Sequence, residues 1–143
     1  MVMSDRVALR LGERALVTIE AVNSPYPQGV GFGRGAEVYG ERVDRGVVWD
    51  YFSVPPERRS AVRNELPFSF EVVCRNKSGH LIFYNMTEYM GRADWWSGGS
   101  AMWIEELPDG RRYHCNDADL DDDFEDLVFT VRQVEGEHTR NGA

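Results

Sequence analysis

Short runs of β-branched and aromatic residues, broken by Gly, Pro, Asn and Asp, dominate the hydrophobic pattern of this chain. In the segment 68–74 apolar residues occupy every second position, which is typical of a strand with one face buried. Turn residues at 77–79 and 108–110 indicate hairpins between the runs on either side of them. The pattern predicts strands at 7–11, 15–22, 46–53, 68–74, 80–86, 101–107, 111–115 and 127–134.

Regularly spaced short strands indicate an all-β fold, and we expect an antiparallel β-sandwich of about eight to nine strands. At most one short helix is expected, at 55–64, where Pro-Pro-Glu is followed by arginines. The length of 143 residues fits one domain, which we place at 1–136, with a polar C-terminal tail at 137–143. The glycine-rich segment 29–35 lacks the Lys of a phosphate-binding loop and predicts a strand-edge or bulge segment.

The negative charge of the chain is concentrated in one segment. The formal net charge of −8 falls to −1 when the seven acids between residues 117 and 126 are left out. This distribution argues against nucleic acid as a partner, because phosphate backbones are bound by clustered Lys and Arg. Neither a membrane-spanning apolar stretch nor a signal-peptide pattern is present, so we expect a cytoplasmic protein or one exported without a classical signal peptide. Cys74 and Cys115 are expected to be reduced thiols.

The acidic segment favours a calcium site over a solvated loop. It runs directly into the apolar strand predicted at 127–134, and Phe124 interrupts the acids as if one side chain pointed inward. Clustered carboxylates are hard oxygen donors that suit Ca²⁺. An EF-hand is excluded because its required Gly is Asp122 here, and a zinc pair at 114–115 is not expected because adjacent strand residues face opposite sides. The seven acids are Asp117, Asp119, Asp121, Asp122, Asp123, Glu125 and Asp126.

The acidic segment resembles the calcium loop of the two-calcium bacterial lectins, which bind fucose, mannose and related sugars. In that family, an acid is followed by three residues and then by the pattern Asp-x-Asp-aromatic-Asn-Asp. This pattern leads into the last strand. The matching positions here are Asp117, Asp121, Asp123, Phe124, Glu125 and Asp126, of which Glu125 replaces the Asn. A second match is Val22-Asn23-Ser24, at the place of a strand end whose Asn carbonyl binds calcium. A third is Gly136, where the family's chain ends and this one continues.

The resemblance implies a soluble, calcium-dependent carbohydrate-binding protein without catalysis. It implies two Ca²⁺ ions held by Asn23, Asp117, Asp121, Asp123, Glu125 and Asp126. Vicinal hydroxyls of a mannose- or fucose-like sugar would complete the coordination of both ions, and Ser24 and Asp119 would contact the sugar. A carbohydrate or glycoconjugate is therefore the expected partner, and a homo-oligomer is left open.

Two adjacent tryptophans, Trp95 and Trp96, lie in a polar, glycine-rich segment. Neighbouring strand residues face opposite sides, so one indole is expected at the surface, where it suits sugar stacking or a protein interface. The alternative is that one indole covers the end of the core while the other is partly buried.

No local motif indicates an enzyme. The three histidines, His80, His114 and His138, are scattered, and no nucleophile elbow is present. The carboxylates crowd one loop, whereas a glycosidase acid–base pair normally comes from separate strands. The second hypothesis is therefore a calcium-stabilised structural or protein-interaction β-sandwich module that binds no sugar.

Overall fold

The computed structural model describes residues 2–24, 26–50, 65–89, 92–94, 101–116 and 125–134, and all of the regular structure in these ranges is β-strand. The strands are β1 (Asp5–Ala8), β2 (Arg14–Val22), β3 (Gln28–Val38), β4 (Glu41–Trp49), β5 (Phe68–Cys74), β6 (His80–Tyr89), β7 (Arg92–Asp94), β8 (Ala101–Leu107), β9 (Gly110–Asn116) and β10 (Leu127–Val134). The helix expected at 55–64 and the tail expected at 137–143 lie outside the described residues. None of the described segments forms a helix that is long and apolar enough to cross a membrane.

The ten strands form one antiparallel sheet in the order β1-β6-β3-β5-β2-β10-β9-β8, with β4 also paired to β3 and β7 to β6. The sheet curls until its two ends meet, because the backbones of Val2 and Met102 exchange hydrogen bonds of 2.8 and 2.7 Å. Asp5 of β1 crosses the same gap and accepts hydrogen bonds from Arg111 and Tyr113 of β9. The prediction of an all-β antiparallel fold is confirmed, with ten strands where eight to nine were expected.

The core follows the alternation read from the sequence. Ala15, Val17 and Ile19 of β2 are buried, and the residues between them are half-buried. The predicted face of β5 is confirmed. Phe68 is half-buried and packs against the core, and the residues that follow it at every second position are buried. Tyr113 of β9 stacks on Phe129 of β10, with ring centroids 4.8 Å apart, directly after a β-bulge in β10. These paired strands make a continuous apolar interior beneath the site described below.

The glycine-rich segment is an interior strand rather than a strand edge. Residues 28–33 of β3 pair with β6 on one side and β4 on the other, and all six are buried. Gly31 lies directly opposite Tyr84, whose ring covers the space that a side chain at Gly31 would need. The expected bulge is present, because the register shifts between Gly33 and Ala36, after which the strand pairs with β5. Glycine thus allows a tyrosine ring to lie flat on the sheet.

Both cysteines are buried and free, as expected. Burial raises the pKa of the Cys115 thiol well above its usual range, and the nearby charges of Asp126 and Glu125 raise it further. Since the thiolate is the reactive form, this thiol is protected both by burial and by its protonation.

We therefore expect neither Cys74 nor Cys115 to react with a disulfide reagent such as DTNB in the folded protein. In concentrated guanidinium chloride both thiols should react at once, with two equivalents released. Stopped-flow absorbance on folded and denatured protein measures the difference. Rapid release of one equivalent from the folded protein would contradict the buried placement of that cysteine.

Candidate functional site

The two ends of the acidic segment are held together by the sheet. Residue Asn116 ends β9, and β10 begins at Leu127 opposite Cys115. The Asp126 N–H donates to the Cys115 carbonyl over 3.0 Å, which closes the base of the connection between these strands. Asp117, Asp119, Asp121 and Asp123, which were assigned to metal and sugar from the sequence, lie outside the described residues. Glu125 and Asp126 are described.

The Asn-Ser motif at the end of β2 meets the acidic segment in space. The backbone N–H of Asn23 donates to the Asp126 carbonyl over 2.9 Å. The Asn23 side-chain Nδ2 donates to the Glu125 carbonyl over 2.8 Å. Both contacts use nitrogen donors, so the two oxygens of Asn23 are the atoms through which it would hold a cation. Two motifs 102 residues apart are thereby brought into direct contact.

Ser24 is next to this contact but has a local hydrogen bond. Its Oγ accepts from the Tyr26 N–H over 3.1 Å, and the residue is buried. A hydroxyl that accepts from the backbone two residues on stabilises a turn. The serine predicted to contact sugar therefore also shapes the chain that follows β2.

The Glu125 carboxylate has a specific partner that the sequence analysis missed. Its Oε2 lies 2.7 Å from Nδ1 of His114, and Nε2 of the same ring lies 2.9 Å from Oε1 of Glu105. The imidazole is thus held by a carboxylate on each side. Hydrogen bonds from His114 and Arg112 lower the pKa of Glu105 below its usual range. If Glu125 also binds calcium, it does so while one oxygen faces His114.

Trp103 extends this arrangement to the surface. Its indole stacks on His114, with ring centroids 4.3 Å apart and an interplanar angle of 9°. The side chain is 42% exposed although it is large and apolar. Trp103 and His114 are cross-strand partners in the β8–β9 hairpin. This pair could be inferred from the hairpin predicted around 108–110, because the register of that hairpin places the two rings on one face of the sheet.

Buried polar side chains gather beneath the same end of the sheet. Asn85 Nδ2 of β6 donates to the Asn116 carbonyl over 2.7 Å, which joins β6 to the end of β9. Further along β6, Thr87 Oγ1 donates to Gln28 Oε1 over 3.3 Å, and the Gln28 N–H donates to Asp50 over the same distance. Burying such groups is costly unless they are hydrogen-bonded. These hydrogen bonds connect polar side chains at this end of the core, which is not a continuation of the apolar interior.

Trp95 and Trp96 lie outside the described residues. Within the described part of the chain, His, Cys, Asp and Glu side chains form no group of three placed to hold a metal ion. His114 and Cys115 face opposite sides of β9, as the sequence analysis expected, since Cys115 is buried and His114 stacks on an exposed indole.

Comparison of the sequence with protein-family models and with curated proteins found no match. The resemblance to the two-calcium lectins therefore rests on the matching residues alone.

Proposed function

We propose that this protein binds carbohydrate through calcium ions held at the end of β2 and in the acidic segment, and that it is not an enzyme. The observation that carries the proposal is the pair of hydrogen bonds from Asn23 to Glu125 and Asp126. In the resembling lectins, an Asn at a strand end and an acidic loop supply ligands to the same ions. Contact between the corresponding residues is what a shared site requires.

The charge of the segment also supports a cation. Seven carboxylates lie within ten residues, and both ends of that stretch are held by neighbouring strands. Carboxylates gathered in this way repel one another unless cations or donors compensate. Two Ca²⁺ ions would reduce the charge of the segment from −7 to −3, with oxygen as the only ligand type.

The expected ligands for these ions are Asn23, Asp117, Asp121, Asp123, Glu125 and Asp126. When bound, calcium supplies open coordination positions that vicinal sugar hydroxyls can fill. The chain orients these ligands: the backbone of Asp126 is fixed to β9 and to Asn23, and Glu125 is turned toward His114. The carboxylates lie on one connection rather than on facing strands, so we assign them to binding and not to acid–base catalysis.

Calcium should raise the melting temperature and support retention on immobilised mannose or fucose. Calcium at about 100 times its dissociation constant contributes about 2.7 kcal/mol per site. For a chain of this length, that contribution corresponds to a rise of about 8 °C. Differential scanning calorimetry and affinity chromatography, each with calcium and with EDTA, measure the two effects. Metal analysis should give about two calcium ions per chain. If calcium changes neither the melting temperature nor the retention, the proposal is wrong.

A second candidate is a calcium-stabilised structural or protein-interaction module. The burial of Asp126 favours it, because a cation bound there would brace three strand ends without reaching solvent. This candidate predicts the same rise in melting temperature but no retention on any sugar. The chromatography experiment therefore separates the two candidates.

A further inference from the structure

The outer face of the β8–β9 hairpin presents one aromatic ring in a fixed position. The Trp103 indole stacks on His114, and the side chain is nevertheless 42% exposed to solvent. The supporting imidazole cannot rotate freely, because Glu125 and Glu105 hold its two nitrogens. A ring that is ordered before a ligand arrives loses little entropy when it is covered.

Planar polar groups surround this indole on the same face. Glu105 follows two residues along β8, and Arg112 lies opposite Glu105 on β9. Arg112 donates to Glu105 over 3.2 Å and to Glu20 of β2 over 2.8 Å, so the polar groups are as ordered as the ring. Carboxylates and a guanidinium provide acceptors and donors in fixed directions beside an apolar surface.

This combination matches a pyranose ring. A pyranose has an apolar face of C–H groups that can cover an indole, and hydroxyls at its rim that bond to carboxylates and guanidinium. Nucleic acid fits poorly, because Glu20, Glu105 and Glu125 would repel its phosphates. An apolar protein partner would leave the ion pairs around Trp103 buried without compensation.

We propose that Trp103 is a stacking platform for a second sugar residue, so that the ligand is an oligosaccharide rather than a single sugar. Only His114 separates Trp103 from Glu125, which belongs to the proposed calcium site. One sugar unit would bind calcium, and the next unit along the oligosaccharide would cover the indole. This inference rests on the proposed function and adds the class of ligand to it.

The test compares Trp103→Ala with wild type by isothermal titration calorimetry in calcium, using mannose and a mannotriose as probes. Trp103→Ala should weaken binding of the trisaccharide about tenfold, because the apolar face of the second sugar loses the ring that it covers. Its affinity for mannose and its calcium-induced rise in melting temperature should be unchanged. Trp103→Phe, which keeps a ring and protects against a folding defect, should retain most of the trisaccharide affinity.

Tyr39→Ala is the matched control, because Tyr39 is an exposed aromatic residue in the turn between β3 and β4, and three strands lie between β3 and β9 in the sheet. It should bind both probes as wild type does. Equal trisaccharide affinity in wild type and Trp103→Ala would overturn the platform and leave the proposed function standing. Trisaccharide binding that persists in EDTA and is lost in Trp103→Ala would support the platform and overturn the role of calcium. No binding of either sugar by wild type would overturn both.

Discussion

Replacing Gly31 with alanine is expected to destabilise the fold by about 3 kcal/mol, at the upper end of the cost of overpacking. An added Cβ would lie 2.2, 2.6 and 2.7 Å from three ring atoms of Tyr84, well inside van der Waals contact. The ring must shift to admit this Cβ, and it starts from a buried position directly across the strand pair from Gly31. Thermal unfolding should show a melting temperature lower by about 10 °C for a chain of this size.

A double-mutant cycle isolates the contact. Tyr84→Ala alone should also destabilise the protein, because it uncovers the backbone of β3. In the double variant the alanine at position 31 has space, so the combined loss should be smaller than the sum of the single losses by about 1–3 kcal/mol. If the losses of stability are strictly additive, the ring of Tyr84 does not restrict the size of the side chain at position 31. Gln133→Ala, at an exposed position of β10, should change stability little and serves as the surface control.

The same contact explains why the sequence does not reveal that β3 lies inside the sheet. Strand prediction relies on side chains that alternate between a buried and an exposed face, and glycine contributes to neither. In β3 the second face is covered by Tyr84 and by Trp49, which come from neighbouring strands. Side chains of the neighbouring strands therefore bury this face of β3, and the sequence of β3 itself indicates only the other buried face.

Where a strand carries its own alternation, its bounds were predicted well. Segments 68–74, 101–107 and 127–134 match β5, β8 and β10. The first strand was placed late, at 7–11, because the apolar Leu9 and Leu11 extend the pattern past Ala8. The chain instead turns there, where the Arg10 N–H bonds to Glu13 Oε1 and Gly12 adopts a φ of +89°. The short strand β7 carries too few residues to produce a periodic signal.

The candidate site was predictable only where local patterns contained it. The acidic segment and the Asn-Ser motif could each be found in the sequence, but their contact depends on β2 pairing with β10. The link from Glu125 through His114 to Trp103 depends on the register of three strands. Sequence alone therefore indicates candidate cation ligands, whereas the contacts of Trp103 and His114 beside them depend on the fold.

Asp126→Asn is expected to abolish most of the calcium-induced rise in melting temperature, which is about 8 °C for each occupied site at a concentration 100 times the dissociation constant. Asp126 is 3% exposed, and its backbone is fixed by hydrogen bonds to Cys115 and Asn23. Its backbone is therefore held in position before a cation binds. Asparagine keeps the volume and removes the charge that attracts Ca²⁺.

The same substitution should not lower the melting temperature in EDTA. Without calcium, Asn takes one negative charge out of a stretch of ten residues that carries seven, which lowers the repulsion among them. The matched control is Asp109→Asn, which removes one charge from an exposed side chain in the β8–β9 turn. It should lose at most its surface ion pair with Arg132 and keep the full response to calcium. If Asp126→Asn and wild type show the same calcium-induced rise in melting temperature, Asp126 is not a calcium ligand. If both variants lose the rise, the effect of calcium is general charge screening.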